Sequence, residues 1–110
     1  MSCTPNIGGI CPLTRKEVFD LRPEATGWSL ADGHLTRRFA LKNFQECLAF
    51  VREIAELAAR EGHFPDIAIT EQRYVDISWY TYACGGLTLN DFIMAAKINA
   101  REFSRSGMKI

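Results

Sequence analysis

The chain has 110 residues and balances 13 lysines and arginines against 13 aspartates and glutamates. It is expected to fold as one domain, near the size where oligomer contacts add useful stability, with no net field to gather nucleic acid or anionic lipid. No apolar run approaches the roughly 20 residues that span a bilayer, and the opening MSCTPNIGGICPLTRKE lacks the apolar centre of a signal peptide, so a soluble, cytoplasmic protein is expected.

Residues 1 to 12 hold Pro5, Gly8, Gly9 and Pro12 with little periodicity, and read as a peripheral arm ahead of a domain over 13–110. Thr14 and Glu17 have capping-box spacing, which predicts a short helix with Val18, Phe19 and Leu21 on its apolar side and Pro23 at its end. Gly27 to Leu30, a turn at Ala31-Asp32-Gly33, and Leu35 to Leu41 predict a hairpin. Asn43 and Glu46 form a second capping box, and Phe44, Cys47, Leu48, Val51, Ile54, Ala55 and Ala58 recur at three- and four-residue spacing after it. That pattern predicts an amphipathic helix of about five turns, ending near Glu61 with Gly62 as a left-handed cap. His63 then emerges at the negative end of the helix dipole, where a protonated imidazole is favoured.

Beyond Pro65, the residues Ile67 and Ile69, a turn at Glu71-Gln72 and an alternating run from Tyr74 to Tyr82 predict a second hairpin. Its long strand places Val75, Ile77, Trp79 and Thr81 on one face and Tyr74, Asp76, Ser78, Tyr80 and Tyr82 on the other. The second face can line a site or a subunit contact. Cys84-Gly85-Gly86 reads as a tight turn, because no Lys-Ser/Thr follows as a phosphate loop requires. Thr88 and Asp91 are expected to cap a last helix bearing Phe92, Ile93, Ala96, Ile98 and Phe103. The order α-β-β-α-β-β-α implies an α+β fold, a four-stranded antiparallel sheet with helices covering one face.

Cys3, Cys11, Cys47 and Cys84 form no C-x-x-C pair and have no metal-ligand spacing with the two histidines, His34 and His63, so a structural metal site is not expected. Cys47 falls on the apolar side of the long helix and reads as a buried thiol, whereas Cys3 and Cys11 could pair or stay free.

Two separated segments carry a resemblance. EGHFPD, Glu61 to Asp66, lies at the end of the long helix, and GGLTLNDF, Gly85 to Phe92, lies at the start of the last one. Together they resemble the pterin-4a-carbinolamine dehydratase family over about residues 13 to 100. The resemblance implies a saddle-like four-stranded sheet in a homodimer or homotetramer. It also implies a lyase activity in tetrahydrobiopterin recycling, the removal of water from a 4a-hydroxytetrahydropterin, with no metal or organic cofactor. That reaction needs one group to protonate the departing hydroxyl and another to take a proton from a ring nitrogen, tasks suited to imidazoles.

Carried over by position, the resemblance makes His63, Asp91 and Tyr82 the candidate catalytic set, and Phe64, Pro65, Asp66 and Tyr80 are candidate binding residues beside it. Phe64 and Tyr82 stand where the family places its second and third histidines, and Ala59 stands where it prefers a charged residue or histidine. Phenylalanine transfers no proton, and a tyrosine titrating near ~10 is a poor acid or base at neutral pH. The expectation is therefore a dehydratase-like protein with weak or lost activity that works through protein contacts. Family relatives imply such partners, including a Rubisco client in an α-carboxysome assembly-factor (chaperone) role, and an active 4a-hydroxytetrahydrobiopterin dehydratase is the alternative. For His63 and Asp91 the plain alternatives are a helix-capping imidazole and a capping-box acid.

Overall fold

The computed structural model describes residues 12–106. The peripheral arm and the state of Cys3 and Cys11 thus lie outside the described residues. Helix α1 (Arg15–Leu21) starts at Thr14, whose hydroxyl accepts from the Glu17 amide while the Glu17 carboxylate accepts from the Thr14 amide. A 3-10 turn (Arg22–Ala25) follows, with Pro23 in its first positions, where a missing N–H costs nothing. Val18 packs partly on the core, but Phe19 does not join it and is 68% exposed.

Strands β1 (Ser29–Ala31) and β2 (His34–Ala40) form the first hairpin around Asp32 and Gly33, both with positive φ as a tight two-residue turn requires. Helix α2 (Phe44–Glu61) follows with Asn43 as its N-cap, and then β3 (Asp66–Thr70) and β4 (Tyr74–Trp79) turn at Glu71 and Gln72. Helix α3 (Leu89–Ser106) closes the described chain. The strands order β1-β2-β4-β3, antiparallel throughout. This is the α+β architecture that the capping boxes and periodicities predicted.

Val75, Ile77 and Trp79 of β4 are buried, as are Leu35 and Phe39 of β2, and they meet Cys47, Phe50, Ile54 and Leu57 of α2 with Phe92, Met94 and Ile98 of α3. Each such large side chain adds about 1.5–3 kcal/mol when taken out of water. The buried stripe of α2 is rotated from the predicted one. Phe50 and Leu57 are inside, while Phe44 and Leu48 are exposed, because packing on the sheet selects one arc of a helix that is apolar over a wider one.

The first hairpin is tied to α3 through Asn99. Its Oδ1 accepts from Trp28 Nε1 at 2.9 Å and Arg37 Nη1 at 2.7 Å, and its Nδ2 donates to the Thr26 carbonyl at 2.9 Å. Gly27 adopts φ +88°, and a β-carbon there would come within 3.1 Å of the Arg37 guanidinium, so both conformation and space call for glycine. No helix among the described residues is long and apolar enough to cross a membrane.

Candidate active site at one end of the sheet

The two sequence segments converge on the end of the sheet where β4 leaves and β3 begins. Gly62 ends α2 in the left-handed conformation, φ 72°, with its amide on the Ala58 carbonyl at 2.8 Å. This turns the chain so that His63 tucks under the sheet, 8% exposed, with its ring stacked on Trp79 at 5.5 Å and 8°. Trp79 Nε1 itself has no acceptor among the described residues.

His63 Nε2 lies 2.6 Å from Asp91 Oδ1, and Asp91 is fully buried. The other carboxylate oxygen accepts from the Thr88 amide at 2.9 Å and the Thr81 hydroxyl at 2.8 Å. Thr88 completes the cluster through its hydroxyl, 2.9 Å from that of Thr81. Asp91 therefore fills its predicted place as the capping acid of α3 and also faces His63. With its oxygens engaged by three donors, Asp91 is held as an acceptor, and the imidazole is fixed with Nε2–H toward the carboxylate. Nδ1 is then the nitrogen left to exchange a proton.

Thr81 and Gly86 pair across a tight turn, with the Thr81 amide donating to the Gly86 carbonyl at 3.1 Å. Gly85 takes φ 70°, and a β-carbon on Gly86 would come within 2.7 Å of Pro12. The turn delivers Thr81 and Thr88 to the same carboxylate. Cys84, within it, is disulfide-bonded.

The other predicted residues occupy the opposite side of the strand end. Tyr82, 66% exposed, donates its hydroxyl to Asp66 Oδ2 at 2.5 Å, and its ring lies edge-on to Tyr80 at 4.9 Å. The hydrogen bond to Asp66, which ionisation would break, pushes the Tyr82 phenol above its usual range, with desolvation and the carboxylate's charge acting the same way. Phe64 is 64% exposed and Pro65 is half-buried beside them. The structure thus joins His63 to Asp91 and Tyr82 to Asp66 and Tyr80, as two groups rather than one.

One residue that the sequence pattern did not single out as functional joins the second group. His34, the first residue of β2, stacks on Tyr80 at 4.1 Å and 10°, meets Tyr82 edge-on at 6.1 Å, and places Nδ1 2.9 Å from the Ser78 hydroxyl. Only the non-local pairing of β2 with β4 brings it there, with Leu35 opposite Trp79 and hence His34 beside Tyr80.

Comparison with known proteins identifies the family. A family profile described as pterin 4 alpha carbinolamine dehydratase matches residues 11–101. A protein of Cupriavidus pinatubonensis, provisionally named pterin-4-alpha-carbinolamine dehydratase 1, is 45% identical over 98 residues, 87% of this chain and 84% of its own. A provisionally named counterpart in Methylococcus capsulatus is 44% identical over 99 residues, 88% of this chain and 86% of its own. The solved transcriptional coactivator/pterin dehydratase of Brucella melitensis superposes with a TM-score of 0.72 at 30% identity, covering 80% of this chain and 95% of that one. A pterin dehydratase-like RuBisCO assembly factor of the α-carboxysome shares the fold at a TM-score of 0.55 and 24% identity, over 70% of this chain and 90% of that one. With the profile spanning nearly the whole described chain and relatives 44–45% identical over most of their length, this chain belongs to the pterin-4a-carbinolamine dehydratase family.

Proposed function

We propose that this chain is a dehydratase-like protein with weak activity, removing water from a 4a-hydroxytetrahydropterin by general acid–base chemistry. The observation that carries the reading is the 2.6 Å His63–Asp91 pair, a buried carboxylate orienting an imidazole whose second nitrogen can exchange a proton. Weakness follows from the neighbours. Phe64 has no proton to give, and Tyr82, held protonated by Asp66, is poorly suited to act as a base. Losing one well-placed acid or base costs about 10² to 10⁴ in rate. The reading is tested by following carbinolamine dehydration with the wild-type protein and His63→Ala. Acceleration over the uncatalysed rate that vanishes in the variant supports it, and equal rates for both at background refute it.

A second reading, a role through protein contacts, is favoured by the exposed rings of Phe64 and of Phe44, the latter beside exposed Leu48 on α2. Homo-oligomer contacts and a protein client such as Rubisco, in the cytoplasm, belong to this reading. The likeness to the assembly factor is one of fold and adds nothing about the client. Deleting the protein and measuring the yield of assembled client complex tests it, an unchanged yield counting against it.

A further inference from the structure

The dehydration moves two protons, yet His63 supplies one imidazole nitrogen. We infer that His34 is the second proton-transferring group of this site, an inference that rests on the dehydratase reading above.

Its placement supports the assignment. The sequence holds two histidines, and strand pairing brings the second to the same sheet end as the first. His34 Nδ1 is anchored by Ser78 at 2.9 Å, which leaves Nε2 without a partner among the described residues. The ring is half-buried and immobilised by parallel contact with Tyr80, so its orientation is set before any ligand arrives. Around it stand Tyr80, Tyr82 and the Asp66 carboxylate, a group of flat aromatic faces with hydrogen-bonding rims that suits a planar heterocycle. Tyr82 is a poor substitute for this task, since Asp66 holds its phenolic proton. Phe64 is no substitute at all.

The step balances without an oxidant or cofactor. Imidazolium His34 gives its Nε2 proton to the 4a-hydroxyl, the C4a–O bond breaks with its electron pair leaving on water, and the ring-nitrogen proton passes by way of solvent water to His63 Nδ1 on the other side of the strand end. Solvent then reprotonates His34 and deprotonates His63. Asp91 fixes His63 as acceptor, because its carboxylate at 2.6 Å holds Nε2–H and leaves Nδ1 for the incoming proton.

The test is steady-state dehydration of a 4a-hydroxytetrahydropterin by wild type, His34→Gln and His34→Ala, the last with and without free imidazole. Glutamine can keep the hydrogen bond to Ser78 while removing the titrating group. The expected result is a fall in kcat of about 10²-fold in both variants with KM little changed, and partial recovery of His34→Ala on adding imidazole. Turnover of His34→Gln within about twofold of wild type overturns the inference, far less than an acid–base group supplies. A loss confined to KM, or one that imidazole does not relieve, overturns it as well by marking His34 as a binding or structural residue. Wild-type turnover at the uncatalysed rate removes the dehydratase reading itself, an outcome distinct from the others.

Discussion

The two sides of the strand end solve different problems with similar residues. Beneath the sheet, His63, Asp91, Thr81 and Thr88 are all buried and saturate one another with hydrogen bonds. Above it, His34, Tyr80, Tyr82 and Asp66 are half-buried or exposed and held mostly by ring contacts and one phenol–carboxylate bond. The enclosed group cannot lose a member without stranding a buried polar partner, whereas the open group can, because water replaces whatever is removed. Preorganisation and fold stability are therefore the same property below the sheet and separable properties above it.

The largest test of that contrast is Asp91→Ala, which leaves His63, the Thr81 hydroxyl and the Thr88 amide without their acceptor. It should cost about 3–5 kcal/mol in urea-induced unfolding, with Asp91→Asn falling nearer 1–3 because the amide keeps an acceptor oxygen. A loss below about 1 kcal/mol for alanine would show that the enclosure opens to water and would break the contrast. Gly62→Ala comes next, at about 1 kcal/mol by thermal denaturation, since alanine must hold a left-handed φ of 72° while meeting no steric obstacle.

Smallest in stability is Asp66→Asn on the open side. It should leave the unfolding midpoint unchanged but lower the titration of Tyr82 toward that of an ordinary tyrosine, read from phenolate absorbance in ultraviolet spectra. Because Tyr82 ionises less readily in the folded wild type than in the unfolded chain, wild-type stability alone should fall as pH rises through the elevated value. If Asp66→Asn instead shifts the midpoint at neutral pH, the open group is as coupled to the fold as the enclosed one.

The fold was legible because its signals are local. Thr14 with Glu17, Asn43 with Glu46, and the alternation from Tyr74 each act within one turn or one strand; the first box formed in full, Asn43 caps α2 through the Glu46 amide, and the strand read as far as Tyr82 ends at Trp79. The pairing of His63 with Asp91 was not stated by either segment, although both residues had been singled out. Their 28-residue separation is closed by the way α3 docks under the sheet. His34 was not singled out for the same reason, its contact with Ser78 spanning 44 positions and depending on strand register. On α2, periodicity marked an apolar arc but could not say which part faces the sheet, so Leu48 was placed inside and Leu57 was overlooked. Local patterns report what an element is; the partner that selects its buried side lies elsewhere in the chain.

Asp91 has a consequence for descent. Because one carboxylate both caps α3 and holds His63, a lineage that abandoned the chemistry would still be obliged to keep it, or lose the fold. Selection on structure alone can thus preserve half of a catalytic pair as a fossil. The residues freer to record whether the chemistry is still in use are those on the open side, where water replaces what is removed, and in this chain they are Phe64, Tyr82 and His34.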